Sequence, residues 1–265
     1  MLLYPPGRLY QRGEDRSQGN VEDSTATSIR ACNDLGYAAS TLKAVGYEVF
    51  LRDYQTERLG MDDLVADFRA FSPHMLFISI TNATIFRDIE VVAILKEVLP
   101  STAVILKGAL FFDPEDGLLD QLDLRDMDYL LGGESDFVSA KLVDAHFKNK
   151  GRLKDIKGIL YREDGAWQRT EFSSWESDLD SLPFPDRSLM NNTLYTRPDT
   201  GEMQATIATS RGCAAPCIYC LTPIISGRKV RLRSPENIFM EIRETYEKYG
   251  IRDFFFKSDT FTIRA

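Results

Sequence analysis

The chain has 265 residues, 43% of them hydrophobic and 27% charged, with 17 glycines and 11 prolines; this composition excludes a disordered or fibrous chain and suits two domains. Its 32 basic side chains stand against 40 acidic ones, a net charge of −8 without a long basic run, which argues against nucleic acid as a partner. No apolar stretch reaches the roughly 18 to 20 residues of a membrane helix, and the N-terminus lacks the charged-then-apolar layout of an export signal, so a cytoplasmic protein without membrane contact is expected.

Residues 1–150 alternate short apolar runs with amphipathic stretches. Leu2–Tyr4, Glu48–Asp53, Met75–Ile80, Ala103–Lys107 and Tyr129–Leu131 read as strands. Leu35–Val45, Met61–Phe71, Arg87–Val98 and Phe137–Lys148 read as helices between and after them. Met75–Ile80 and Ala103–Leu106 are almost continuously apolar, as parallel strands covered on both faces are. The pattern predicts a doubly wound parallel sheet of Rossmann-like or flavodoxin-like kind. Gly46, Ser72-Pro73 and Leu99-Pro100 punctuate it where elements should change. The polar, aperiodic segment Tyr10–Thr25 reads as a long first βα loop, which in such sheets lies at the ligand-binding edge.

Residues 151–199 read as a hairpin and a linker. The hairpin turns at Glu163-Asp164-Gly165, and the acidic, proline-punctuated stretch Asp178–Asp186 is the expected linker. A new unit starts at about residue 200: a strand over Met203–Thr209, a cysteine loop, a basic stretch, a helix over Pro235–Tyr249 and a strand over Asp253–Lys257. Ser234 as N-cap, Pro235 at the first helical position and Gly250 at the end delimit the helix. This is one right-handed, parallel βαβ unit. Two strands and a helix bury too little apolar surface to stand alone, so the unit is expected to dock on the first domain or to be the truncated start of a larger one. Gly227–Arg233 carries four basic residues in seven; it is either a clamp for an anionic group or, as charge runs more commonly are, a solvated loop.

Three of the four cysteines, Cys213, Cys217 and Cys220, lie within eight residues with the spacing Cys-x3-Cys-x2-Cys. In a chain without an export signal, clustered thiols point to metal or redox chemistry rather than to disulfides. Three thiolates can each bind one iron of a four-iron cluster and leave the fourth iron open, and soft sulfur donors select iron–sulfur or zinc. The alternatives are a structural zinc site or three unpaired thiols. A structural zinc site asks for a fourth ligand, whereas Cys32, His74 and His146 all fall in the other domain. Cys32 reads as an inert core cysteine, and both histidines read as surface residues.

This loop, Thr209-Ser210-Arg211-Gly212-Cys213-Ala214-Ala215-Pro216-Cys217-Ile218-Tyr219-Cys220, is similar to the hallmark of the radical S-adenosylmethionine (SAM) enzymes, and Tyr219 matches the aromatic usual before the third cysteine. The first domain resembles that of the subgroup with an N-terminal cobalamin-binding-type domain, through Leu35–Ala39, Gly46–Val49, Ile78–Thr81, Gly132–Glu134 and the linker Leu182–Asp186. The resemblance implies that the cysteine loop opens the first βαβ part of a partial TIM-type radical SAM barrel, whose active face lies at the strand C-termini. It implies that Cys213, Cys217 and Cys220 ligate a four-iron four-sulfur cluster, and that SAM chelates the open iron and is cleaved to methionine and a 5′-deoxyadenosyl radical. Tyr219, Ser258 and Asp259 become SAM-binding candidates, with a capping or turn role as the alternative for the last two.

The same resemblance makes cobalamin a candidate cofactor, held near Ser79, Thr81, Gly108 and Gly133, with methylcobalamin delivering a methyl group to an unactivated carbon. The sequence departs from the subgroup where Leu110 replaces a common histidine, and the Asp-x-His-x-x-Gly element that supplies an axial histidine is absent; a Rossmann-like sheet without corrinoid is the alternative. The substrate, a small molecule or a peptide, is not legible, and an electron donor such as flavodoxin or ferredoxin is implied. A methylthiotransferase would need further cysteines in the first domain, where only Cys32 stands. A non-catalytic corrinoid- or iron–sulfur-binding fragment is the remaining alternative.

Overall fold

A computed structural model describes residues 1–8, 29–112, 114, 117–172, 175 and 177–262; the expected loop over Tyr10–Thr25 lies outside the described residues. The first part runs β1 (Leu2–Tyr4), α1 (Asn33–Ala44), β2 (Leu51–Asp53), α2 (Met61–Phe71), β3 (Met75–Ser79), α3 (Ile85–Val98), β4 (Ala103–Lys107), β5 (Tyr129–Leu131) and α4 (Asp136–Lys148). The hairpin β6 (Ile159–Glu163) and β7 (Ala166–Arg169) follows. All seven strands form one sheet in the order β2-β1-β3-β4-β5-β6-β7. The first five are parallel, in the flavodoxin-like winding, and the hairpin adds two antiparallel strands beside β5.

Side-chain alternation sorts the core onto the two sheet faces. Leu2, Phe77, Ile105 and Leu131 meet Leu35, Ala38 and Leu142 of α1 and α4 on one side. Leu3, Leu76, Ile78, Val104 and Leu106 meet Leu64, Phe68, Val92 and Leu95 of α2 and α3 on the other. Burying each such side chain stabilises the fold by roughly 1.5–3 kcal/mol, which is why strands as short as three residues hold their places. Cys32 is buried in the first of these cores, 3.5 Å from the Tyr195 hydroxyl, as an inert cysteine would be.

The second unit comprises β8 (Gln204–Ala208), β9 (Ser210–Arg211), α5 (Thr222–Ile225), β10 (Arg231–Leu232), α6 (Pro235–Tyr249) and β11 (Asp253–Lys257). β8 and β11 pair in parallel from Gln204↔Asp253 to Ala208↔Lys257. The Ser234 Oγ caps α6 by accepting from Asn237 N at 3.1 Å, and Gly250 ends it with φ at +67°. β9 and β10 form a separate antiparallel pair that the sequence pattern does not reveal.

This unit docks on the first domain. Arg187, in the linker, is 2% exposed and Glu241 of α6 only 1%. The Arg187 guanidinium donates to Glu241 Oε1 at 2.8 Å, Thr206 O at 3.1 Å, Thr245 Oγ1 at 3.2 Å and Asn33 Oδ1 at 3.3 Å. Arg233 donates to the other carboxylate oxygen at 2.5 Å, and Asn33 Nδ2 donates to Thr206 O at 2.8 Å. The linker lies along α1, where Asp186 N donates to Gly36 O at 3.1 Å. A Cβ at Gly36 would lie 2.2 Å from Met190 Cε and 3.0 Å from Pro185 Cβ, so glycine is what lets the linker come this close. No helix among the described residues is long and apolar enough to cross a membrane.

Candidate functional site

In a doubly wound sheet the ligand crevice opens beyond the strand C-termini where the winding reverses, here between β1 and β3. A cleft with about 1210 Å³ of empty space, its open mouth included, lies at that edge. Ser79, Thr81, Gly108 and Gly133, four residues singled out from the sequence, all line it. The opposite wall belongs to the second unit and includes Thr206, Ser210, Arg211 and Asp259. Two strand C-terminal edges, from two different sheets, therefore face one space.

The floor holds a buried polar network that sequence reasoning missed. Asp34, in the first turn of α1, accepts from Lys107 Nζ at 2.7 Å, Tyr4 OH at 2.9 Å and Ser79 Oγ at 3.0 Å. Burial alone would raise its pKa; the Lys107 charge and these three hydrogen bonds outweigh that and hold it down to about 2. Asp34 thus stays charged, fixing the Ser79 hydroxyl and the Lys107 ammonium at the cleft. The available signal was an acidic residue at a helix start, where the helix dipole favours it.

Beside it, Thr81 Oγ1 lies 2.9 Å from Thr84 Oγ1, which donates to Asp88 Oδ2 at 2.6 Å. Asp88 is buried, and desolvation pushes its pKa up to about 6 against the opposing effects of Thr84, Thr81 and Arg87. A carboxyl whose folded-state pKa is raised contributes stability that is full below its unfolded value and is lost as pH rises through the folded value. For Asp88 that window runs from 3.8 to about 6. Asp88→Asn is therefore expected to raise stability by about 3 kcal/mol at pH 8 and to change it little at pH 4. Urea unfolding at the two pH values checks this; an equal effect at both would refute it.

The cysteine loop follows β9; Ser210 and Arg211 before it and Ile225 and Ser226 after it line the cleft, whereas Cys213, Cys217, Cys220, Tyr219 and Ser258 are not among the lining residues. All three of its cysteines are free, with Cys217 exposed and Cys213 and Cys220 half-buried. Cys213 N donates to Gly227 O at 3.1 Å and closes the loop at its base. Cys213 Sγ lies 3.2 Å from Thr260 Oγ1, and Cys220 Sγ donates to Thr222 Oγ1 at 3.3 Å. Asp259, at the end of β11, accepts from Gly212 N at 3.0 Å, and Ser258 pairs with Ser210 through their hydroxyls. Both residues tie the end of the second strand to the loop. Tyr219 is 87% exposed.

Among the described residues no group of three or more His, Cys, Asp or Glu side chains is gathered as a metal site. The donor set itself, three free thiols on one short loop, is of the soft kind that suits iron–sulfur or zinc. Among the described residues lining the cleft there is no histidine. His146 instead meets the Tyr129 hydroxyl at 2.8 Å through Nδ1, half-buried rather than on the surface, and His74 is exposed ahead of β3.

The basic stretch departs from its expectation in part: Arg228 and Lys229 are exposed, as a solvated loop would have them, but its second half is not. Arg231 and Arg233 are buried, not solvated, and they bind carboxylates of the protein rather than presenting a clamp. Arg231 Nη1 donates to Glu134 Oε2 at 2.8 Å, and Arg233 is held by Glu241. Pairing of β10 with β9 turns the two arginines inward and leaves Leu232 between them exposed.

No protein-family model matches the chain. It is 28% identical over 231 residues to an uncharacterized methyltransferase of Pyrococcus horikoshii, covering 86% of this chain and 49% of that protein. It is 26% identical over 270 residues to the cytidylyl-2-hydroxyethylphosphonate methyltransferase of Streptomyces wedmorensis, covering 86% and 51%. The chain thus spans about half the length of the curated relatives it matches. Among solved structures, it resembles TsrM, the radical SAM methyltransferase of Kitasatospora setae with tryptophan substrate and a SAM analog bound, at TM-score 0.67 and 15% identity over 99% of this chain and 48% of that one. It resembles OxsB, a cobalamin-dependent SAM radical enzyme with aqua-cobalamin and SAM bound, at TM-score 0.70 and 16% identity over 88% and 32%. At these identities the likeness is one of fold, and it bears out the α/β architecture read from the sequence, a doubly wound, mostly parallel sheet followed by a βαβ unit.

Proposed function

We propose that the chain acts in a cytoplasmic, cobalamin-dependent radical SAM methyltransferase. The observation that carries this is the shared cleft: the C-terminal edge of the first sheet and the cysteine-loop end of the second unit face one space. Cys213, Cys217 and Cys220 would hold a four-iron four-sulfur cluster. Tyr219, Ser258 and Asp259 would meet SAM, and Ser79, Thr81, Gly108 and Gly133 the corrinoid. When bound there, these groups supply an electron for cleavage of SAM to methionine and a 5′-deoxyadenosyl radical, and a carrier for the methyl group. The residues of the chain do the rest. Asp34 and Lys107 set the polarity of the cleft floor, and Asp259 fixes the Gly212 amide at the root of the cysteine loop. With no histidine among the described lining residues, the corrinoid would be held by backbone, small side chains and hydroxyls. A small molecule or peptide is the proposed methyl acceptor, and flavodoxin or ferredoxin the proposed electron donor.

Iron, sulfide, zinc and cobalt analysis of anaerobically purified and reconstituted protein tests this. About four irons per chain, with cobalt bound after addition of hydroxocobalamin and an iron spectrum that shifts on adding SAM, is the expected result. Iron without cobalt would remove the corrinoid from the reading, and stoichiometric zinc without iron would return the loop to a structural role.

A further inference from the structure

Gly132, Gly133 and Glu134 form the turn between β5 and α4, and this turn touches both walls of the cleft. Gly133 lines it from the sheet side. A Cβ on Gly132 would lie 2.4 Å from Phe112 N, and one on Gly133, whose φ is +67°, would lie 3.0 Å from the Phe112 ring and 3.2 Å from Ile225 O. The turn is therefore wedged between Phe112, in the segment that follows β4, and α5, the short helix just past Cys220.

Glu134 then grips the stem of the cysteine loop. Its carboxylate receives both terminal nitrogens of Arg231, one of them at 2.8 Å, and lies 3.5 Å from Arg211 Nη1. Arg211 also reaches Asp136 at 2.5 Å. The side chains of Glu134 and Asp136 are only 9% and 5% exposed, so these contacts act where water screens little. Arg211 and Arg231 face each other across the β9–β10 pair, one just before Cys213 and the other past Cys220. Bidentate guanidinium–carboxylate contacts of this kind are directional as well as strong.

We propose that Glu134, supported by Asp136, is a positioning residue that couples occupancy of the cleft edge at Gly133 to the geometry of the cysteine loop, so that a corrinoid and an iron–sulfur cluster bind this chain cooperatively. The inference rests on the proposed function above. A ligand seated against Gly133 restrains the turn, the turn restrains the two arginines, and the arginines restrain the stem that carries the thiols. By linkage, a metal held by the thiols then favours the corrinoid in equal measure.

The test is an anaerobic absorbance titration of the full chain with hydroxocobalamin, before and after iron–sulfide reconstitution. The wild-type chain is expected to bind roughly 5- to 150-fold more tightly once reconstituted, the span of ordinary coupling energies. In E134Q the ratio of the two affinities is expected to fall to within about twofold of one. D136N releases only Arg211 and should give an intermediate ratio. A merely structural role would weaken both affinities alike and leave the ratio unchanged. A wild-type ratio of one, or an E134Q ratio equal to the wild-type ratio, overturns the coupling; if E134Q does not fold, an unchanged D136N ratio does so. A wild-type chain that binds no corrinoid in either state, or takes up no iron, overturns the proposed function itself, and the coupling falls with it.

Discussion

A Cys217→Ala chain is expected to leave anaerobic iron–sulfide reconstitution with almost no bound iron, where the wild-type chain retains about four irons. Cys217 is exposed on its loop, and exposed substitutions usually change stability by no more than about 0.5 kcal/mol. The loss would therefore be chemical and not a by-product of unfolding, which a circular dichroism melt can confirm. Among the described residues no thiol or imidazole outside the loop is gathered with it as a metal site: Cys32 is buried against Tyr195, His146 is engaged by Tyr129, and His74 stands ahead of β3. Cys32→Ala should accordingly keep its iron. Full iron uptake by the Cys217→Ala chain would show that this thiol is no ligand.

Glu241→Ala is expected to lower stability by about 3–5 kcal/mol, a large part of the roughly 5–15 kcal/mol that holds a typical domain together. The carboxylate answers two buried guanidinium groups, Arg187 at 2.8 Å and Arg233 at 2.5 Å. Its removal leaves both charges in a place from which water is excluded. Replacing one partner of such a pair costs far more than the intact pair contributes, because the desolvation of the remaining charge is no longer offset. Glu244→Ala on the same helix offers the contrast: its pair with Lys248 is solvent-exposed, and its loss should change stability little. Urea unfolding of the two variants side by side measures the difference, and equal losses would refute the assignment.

The apolar strands and the cysteine loop were legible in the sequence because each is a local pattern. Met75–Ile80 and Ala103–Lys107 announce a two-sided core through continuous hydrophobicity, and both strands form within a residue of the expected bounds, whereas the strand expected over Glu48–Asp53 forms only over Leu51–Asp53. Asp34 and Lys107 were not legible, since nothing local tells a residue that its partner stands 73 positions away. Arg231 and Arg233 were read in the wrong sense for a related reason. Charged side chains are rarely buried unless paired, and the carboxylates that pair with them lie in the first domain, Glu134, and in the helix that follows, Glu241. Their spacing of two, with Leu232 between, did carry a signal: in an extended segment it places both arginines on one face. Only the tertiary fold decides which face points inward.

The contact from Asn33 to Thr206 spans 173 positions of the chain. Closing so distant a contact early would sacrifice much chain freedom, and folds that depend on non-local pairing form slowly. The five parallel strands and their helices are complete by residue 148, before β8 leaves the ribosome. The surface that receives Arg187, β8 and α6 is thus already formed when they emerge, and the second unit condenses on the first as on a template. If the units fold in the order of their synthesis, β8 and α6 meet a surface that already covers their apolar and charged faces.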